Sequence, residues 1–521
     1  MKRLLALALL FTLHTTHFTL PPLFAESEQR PNFLFIAIDD LKPILGHQSE
    51  LPGNFLQEIY PDPQKRAEVR KILTPNMDRL ATSGVAFNRA FCASSVCRPS
   101  RTALMTGLRP HVSGQTTNSH GYFRTEDKPD FVRNVITLPQ FLKDKGYLTA
   151  GTGKIFHTGN DLESDAEISW TQWFNKAPAP VDQGKRQKSK WSSDDYKKSK
   201  MTFGADLGPV EGQEDYGNAD LIARLLENGK VQVGKRSTSI TPEHPFFLAC
   251  GIFRPHLPLF APKELIDLFP IEDIALGREH IERFRQDLAD TPDGLPQDPL
   301  KGPLGDALRV GLEKGKEYGI ENGDIIAYRD AIRHYLASVA LADRCVGRLL
   351  DALENSPYAD NTIVILWSDH GWYLGEKYLF LKTRVWDEAA NCVLTIRDPR
   401  SNQQGAGPCS TPVNLQDLYP TISALAGLTP PPHVAGASIQ HLIQDPSAEH
   451  NIPSLTTWHG NEGIRIGPWA YLRYDKDPNK VELYHIPSDP DELKNLAHNP
   501  EYKSKLKELD QLLDTTLTSK R

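Results

Sequence analysis

The chain has 521 residues, a formal net charge of −7 and six cysteines. That length allows two to three domains, or one large α/β domain with an appendage, and it can bury a sizeable core. The mild acidity argues against a general nucleic-acid binder, and six cysteines are too few for a disulfide scaffold even in an oxidising compartment.

Residues 1–25 read as a signal peptide. Lys2 and Arg3 give the basic start, Leu4 to Leu13 the apolar run, and Ala25 the cleavage residue. The run is too short to span a bilayer and no cysteine follows it for lipid attachment. An uncleaved anchor is the alternative. No other stretch is long and apolar enough to span, so the mature chain is expected to be exported (periplasmic, secreted or lysosome-like) without stable membrane insertion.

Asn32 to Asp40 opens the mature part with a continuous apolar run, which suggests a strand buried on both faces. It ends in Asp39 and Asp40. Ligands of open α/β sheets gather beyond the carboxyl ends of the strands, and paired carboxylates there suit a hard cation. An Asp-Asp turn or helix cap is the plainer reading. Glu50 to Lys71 is charged and proline-bearing and is expected to be a surface insertion. Thr74-Pro75 starts a short amphipathic helix.

Next comes Ser94-Ser95-Val96-Cys97-Arg98-Pro99-Ser100-Arg101. Pro99 is tolerated in a first helical turn, which places Cys97 at a helix N-terminus and Arg101 one turn on. Orphan N–H groups there favour an anion and lower a thiol's pKa. For a lone cysteine, a small buried residue in a loop is the plainer reading.

Leu138 to Lys145 reads as a helix ending at Gly146. Tyr147 to His157 reads as a strand opening into a glycine-rich loop that carries Lys154 and His157, a point charge for an anion and a group able to move a proton. Lys185 to Lys200 is a basic tract, either a solvated loop or a guide for a polyanion. Pro245 to Phe253 is a second buried strand. The prolines after it fix the loop that aims His256. Asp324 to Leu353 has the periodicity of a long core-facing helix. Thr362 to Trp367 is a third buried strand, with Asp369 and His370 at its carboxyl end. Val413 to Leu428 includes a further helix. Thr456 to Tyr474 and Glu482 to Ile486 alternate like strands, and Tyr502 to Leu517 is a final amphipathic helix.

Cys97-x-Pro99-Ser100-Arg101, followed by Thr106-Gly107, resembles the signature of the type I sulfatases. Met105 and Leu108 depart from the Leu and Arg of the full pattern. Gly153-Lys154-Ile155-Phe156-His157, Arg254-Pro255-His256 and Asp369-His370-Gly371-Trp372 resemble the spellings of the iduronate-2-sulfatase branch, and the segments stand in family order. The resemblance implies an alkaline-phosphatase-like α/β fold with a central mixed sheet, plus a small antiparallel C-terminal subdomain. The expected division is a signal peptide at 1–25, a catalytic domain at 26–445 and the subdomain at 446–521.

The resemblance also implies a mechanism. Cys97 is converted by a formylglycine-generating maturation enzyme to Cα-formylglycine, whose hydrate attacks the sulfur of a sulfate ester. One Ca²⁺ is held by Asp39, Asp40 and Asp369, with His370 and the modified Cys97 beside it. Arg101 steadies the hydrate, Lys154 and Lys382 neutralise sulfate, His157 assists the hydrate, and His256 protonates the leaving oxygen. The implied substrate is a sulfated carbohydrate, with Trp372 as a candidate stacking surface or a packing residue. A phosphodiesterase or phosphonate hydrolase of the same superfamily is the closest rival, and a catalytically silent glycan-binding protein another. Whether Cys392 and Cys409 pair is left open.

Overall fold

Asn32–Asp39 (β1) sends Leu34, Ile36 and Ile38 into one apolar cluster and Phe33, Phe35 and Ala37 into another, all fully buried. Each such side chain contributes about 1.5–3 kcal/mol relative to exposure. In the computed structural model, which describes residues 30–157, 160–175, 177–194, 201–292, 302–401 and 407–519, this strand is the middle of a mixed sheet. The signal-peptide reading and Lys197, Lys198 and Lys200 lie outside the described residues.

The sheet also contains β2 (Val85–Ala86), β3 (Leu148–Gly153), β4 (Gln172–Phe174), β5 (Phe246–Pro255), β6 (Thr362–Ser368) and β7 (Leu394–Arg397), in the order β2-β7-β6-β1-β5-β3-β4. β6, β1, β5, β3 and β4 run parallel; β7 is antiparallel to β6, and β2 is in turn antiparallel to β7, so β7 alone runs against the rest of the sheet. Ile38 stands opposite Ser368 on one side, and Gly251 opposite Gly153 on the other. Asp369, Asp39, His256 and Lys154 therefore leave the same edge of four neighbouring strands.

Two glycines make that edge possible. Gly153 has φ 76°, and a Cβ there would lie 1.9 Å from the Gly251 carbonyl oxygen. A Cβ on Gly251 would lie 2.2 Å from the Lys154 nitrogen. Lys154 folds over β5 only because neither residue has a side chain.

Residues 50–71 are not a surface insertion. Asp62 caps Pro63–Leu73 (α1) by accepting from the Gln64 N–H, and Leu56, Ile59, Tyr60, Val69 and Leu73 are buried in the core. Charges on the outer face hide that apolar spacing. Pro75–Ser83 (α2) follows, then Cys97–Thr106 (α3), which begins after extended Val96 and ends at Gly107 with φ 71°. Leu138–Asp144 (α4) joins α3 on the Phe33–Phe35 face of the sheet. Glu214–Asn228 (α5) and Gly323–Glu354 (α6) cover the opposite face. Leu418–Leu425 (α7) returns to the α3 side.

The chain ends in an antiparallel sheet of β8 (Ser454–Trp458), β9 (Asn461–Ile466), β10 (Trp469–Tyr474) and β11 (Asp477–His485), followed by Lys503–Thr518 (α8). Its two faces alternate with period two. Leu455, Ile464, Tyr471 and Leu483 pack on Leu509 and Leu513 of α8. Ala470, Leu472, Tyr474 and Tyr484 pack on Tyr373, Val385, Trp386 and Ala389. The sheet thus backs the segment that carries Lys382. All six cysteines are free thiols. Cys392 Sγ donates to the Ala390 carbonyl at 3.4 Å, and the Cys392–Cys409 pair left open above is not formed.

Candidate active site

Cys97 lies at the first turn of α3 with its Sγ fully buried, and the strand-edge residues converge on it. Lys382 Nζ donates to Sγ at 2.8 Å and to Asp40 Oδ1 at 2.6 Å. His370 Nε2 is 3.3 Å from Sγ and 3.2 Å from Asp40 Oδ1. Lys154 Nζ donates to Asp39 Oδ2. Burial and the Asp39 charge would raise the thiol's pKa, but the Lys154 and Lys382 ammonium groups prevail and hold it well below its ordinary value. Burial would likewise raise Asp39, yet Lys154, His256, Arg101 and Lys382 hold its carboxyl well below the usual range.

Arg101 is fully buried beneath this cluster. Its Nε donates to Asp369 Oδ2 at 2.7 Å, its Nη2 to Asp39 Oδ1 at 3.4 Å, and its Nη1 to the carbonyls of Lys154 and Ile155. These bonds tie the ends of β1, β3 and β6 together, so its guanidinium serves the carboxylates. Ser100 Oγ donates to the Asp369 carbonyl at 2.5 Å.

The carboxylates are arranged for a cation. Asp39, Asp40, Cys97 and His256 present ligand atoms all within 4.8 Å of one another, as do Asp39, Cys97, Asp369 and His370. Asp40 has φ 61°, and among the described residues its buried Oδ2 has no hydrogen-bond partner. That orphaned oxygen, in a set of three carboxylates, fits a hard, oxygen-seeking divalent ion. His370 Nδ1 donates to the Gly371 carbonyl at 2.8 Å, which directs Nε2 at the cluster. Burial would lower the His370 pKa, but the Asp369 charge pushes it up to about 10. A cation sharing that carboxylate would cancel the cause of the rise and leave the Nε2 lone pair available.

His256 and His157 stand at the rim. His256 Nε2 is 3.8 Å from Asp40 Oδ2, Nδ1 donates to the Leu257 carbonyl at 2.6 Å, and the side chain remains 22% exposed. His157 Nδ1 accepts from Arg98 Nη2 at 3.3 Å. Burial first, then Lys154, pushes its pKa down to about 4, so it is neutral at ordinary pH.

Trp372 is corrected. It is 1% exposed, stacks on Tyr335 with centroids 6.0 Å apart, and meets the Phe380 ring edge-on, so no face is left for a sugar. It is a packing residue. The described part of the basic tract is likewise not a bare loop: Arg186–Lys188 is a strand, and Arg186 pairs with buried Asp206 at 2.9 Å.

Two supporting residues escaped the sequence reading. Asp215, in the first turn of α5, accepts from the N–H groups of Phe253 and Arg254 at 2.8 and 2.9 Å and so anchors the approach to His256. Tyr335 donates its hydroxyl proton to the Asp40 carbonyl at 2.7 Å and accepts from the Lys42 N–H at 2.9 Å. Tyr335 lies within the long helix read from Asp324 to Leu353, but nothing in that periodicity marks its hydroxyl. Asp215 carried no local motif at all.

Residues 31–428 match the sulfatase family, and residues 375–519 match the family described as N-sulphoglucosamine sulphohydrolase, C-terminal. A sulfatase of Formosa agariphila is 32% identical over 496 residues, covering 94% of this chain and 87% of its own. Human iduronate 2-sulfatase is 30% identical over 443 residues, covering 77% and 70%. Among solved structures, the phosphonate monoester hydrolase of Agrobacterium radiobacter superposes with a TM-score of 0.62 at 18% identity, covering 94% of this chain and 96% of its own. That likeness speaks for the fold alone. The sequence matches decide the family, and they span the site residues from Asp39 to Lys382: this chain belongs to the sulfatases, the enzymes that hydrolyse sulfate esters.

Proposed function

We propose that the protein is an exported, formylglycine-dependent, calcium-dependent sulfatase acting on a sulfated carbohydrate. The observation that carries this reading is the convergence of Cys97 Sγ, Lys382 Nζ and the Asp39, Asp40 and Asp369 carboxylates on one buried point. Conversion of Cys97 by a maturation enzyme supplies a gem-diol nucleophile for sulfur, which a thiol is not. Asp39, Asp40, Asp369 and Nε2 of His370 would hold Ca²⁺, which supplies Lewis acidity toward the sulfate oxygens.

The chain's own groups do the rest. Lys154 and Lys382 balance the charge of the sulfate. Arg101 fixes Asp39 and Asp369 from below. His157, kept neutral, can take a proton beside Cys97. His256, partly exposed at the rim, is placed to protonate the departing sugar oxygen. The kinship with iduronate 2-sulfatase supports a sugar substrate. Residues 1–25 serve as the export signal, 26–445 as the catalytic domain and 446–521 as the C-terminal subdomain.

Two measurements test this. Mass spectrometry of the peptide containing residue 97 from fully active protein should show the aldehyde or its hydrate; an unmodified cysteine there rules the mechanism out. Sulfate release from sulfated oligosaccharides should exceed, in kcat/KM, hydrolysis of an aryl sulfate and of an aryl phosphodiester. Preference for the phosphodiester moves the protein to the phosphonate-hydrolase side. Preference for the aryl sulfate over every sugar overturns only the carbohydrate assignment.

A further inference from the structure

A cavity of about 500 Å³ lies between the catalytic part and the turn after β11, walled mainly by residues 42–58, 283–287, 376–391 and 486–493. That is room for a small-molecule ligand. None of the candidate catalytic or metal residues lines it. Trp372 stands between it and the reacting centre. Its carbonyl accepts from Lys42 Nζ in the cavity wall at 3.0 Å, while Lys382 Nζ, bonded to Cys97, lies 5.7 Å over its ring. Arg283 and Leu493 are exposed, so the cavity opens to solvent on their side.

The lining is short of positive charge. Glu376 pairs with Lys42 at 2.7 Å, Glu58 with Arg283 at 2.6 Å, Asp387 with Arg465 at 2.8 Å, and Asp287 Oδ2 with Lys377 at 3.0 Å. Glu388 and Asp491 form no ion pair among the described residues. Burial pushes the Glu388 carboxyl up to about 8 and raises Asp287 and Asp491 as well, more than the nearby lysines offset. The lining is also short of hydrogen-bond donors. Gln48 is 3% exposed and the Asp287 side chain 7%, yet Gln48 Oε1 and Asp287 Oδ1 have no partner among the described residues. Glu388 Oε2 and the Oδ1 atoms of Asn88 and Asn391 are orphaned in the same way. Asn391 is oriented by its amide nitrogen, which donates to the Asn88 carbonyl at 3.1 Å. Against these five acceptors stand two orphaned donors, Nε and Nη2 of Arg89. Buried polar atoms are nearly always satisfied, so this concentration around one cavity points to an occupant.

We propose that this cavity is an accessory binding site for a hydroxylated primary amine, with Glu388 and Asp287 taking the ammonium group and Gln48, Asn88, Asn391 and Arg89 taking the hydroxyls. An ammonium carries three donors and no acceptor, which suits unpartnered carboxylate oxygens. A hydroxyl both donates and accepts, so it serves the Asn88 and Asn391 oxygens and the Arg89 N–H groups alike. The rings of Phe55 and Phe284, with centroids 6.0 Å apart, give the carbon skeleton an apolar wall. A sulfated glycan is repelled by the same carboxylates, so the cavity is not an extension of the substrate site.

The test is calorimetric titration of the full chain, with inorganic sulfate present to occupy the reacting centre. The probe is 1-amino-1-deoxysorbitol, with sorbitol as its uncharged counterpart and butylamine as its hydroxyl-free one. The amino alcohol should bind with saturation and raise the melting temperature, while sorbitol and butylamine should each bind at least about tenfold more weakly. Glu388→Gln and Asp287→Asn should each weaken the amino alcohol by about tenfold or more. Leu493→Trp changes only the exposed rim and should hinder entry, so it reports on the site even where a buried variant fails to fold. No saturable binding, equal binding of sorbitol or butylamine, or binding indifferent to both Glu388→Gln and Leu493→Trp overturns the assignment. Displacement of the probe by added sulfate places it in the reacting centre and overturns the assignment too. Neither the state of residue 97 nor turnover enters these readouts, so their outcome is separate from that of the sulfatase mechanism.

Discussion

Cys97 is the one side chain for which no neighbour can substitute. Its Sγ is held by Lys382 and His370, while Arg101 and the carboxylates below it are bonded to one another. Cys97→Ser and Cys97→Ala should therefore fold with nearly unchanged melting temperatures yet lose on the order of a thousandfold or more in turnover. Ordinary activity in either variant would falsify the proposed mechanism. His157 makes a separate prediction. Its folded pKa of about 4 lies below the ordinary 6.5, so between those values the unfolded chain binds a proton that the folded protein refuses. Stability is thus lost as pH falls through that window, by up to about 3 kcal/mol from this residue. The drop in melting temperature from about pH 7 to about pH 5 should be smaller in His157→Gln than in wild type. An equal drop assigns the loss to other groups.

At the scale of elements, the site is made by strand ends, and strand ends are what the sequence displays. Asp39-Asp40, Lys154, His256 and Asp369-His370 each close an apolar run, so their places could be read locally. Residues 50–71, Asp215 and the Trp372 packing could not, because charge masks the apolar spacing of α1, Asp215 acts on a strand 38 residues away, and the burial of Trp372 depends on Tyr335 from another helix. The junction of β3 and β5 gives a sharper test. Gly153→Ala places a Cβ at 1.9 Å from a carbonyl oxygen, and Gly146→Ala, with φ 88°, meets nothing within 4 Å. Gly146→Ala should cost about 1 kcal/mol in chemical denaturation, whereas Gly153→Ala should cost several times as much and displace Lys154. Similar costs for both would deny the close crossing of these strands.

For the whole molecule, three buried carboxylates and an orphaned oxygen would, on the proposed function, make the folded state a better calcium ligand than the unfolded chain. Ligand binding to the folded state alone raises stability, by about 2.7 kcal/mol at a hundred times the dissociation constant. Calcium should raise the melting temperature of the inactive Cys97→Ala protein, and a chelator should lower it. Asp40→Asn should abolish most of the response. An unresponsive melting temperature at millimolar calcium removes the ion from the site. The C-terminal sheet was also visible in the sequence as alternation, but its second face was not. Only the structure reveals that Ala470, Leu472 and Tyr474 back the Lys382 segment, because a period of two says which residues share a face and not what that face meets.

The pairing of β1 with β6 also sets a clock. Asp40 N–H donates to Asp369 Oδ1 across a separation of 329 residues, and β6 supplies one whole side of the strand from which Asp39 projects. Until β6 is made, Cys97 has neither Asp369 beneath it nor His370 and Lys382 over it. At about 5–20 residues per second, the ribosome takes roughly 15–50 s to travel from Cys97 to the end of β6. For that interval residue 97 belongs to an open chain, reachable by a modifying enzyme that could never enter the finished site. Under the proposed conversion of Cys97, the long way round from the first strand to its partner would thus be a schedule: chemistry on the cysteine would come first, and burial would close the appointment.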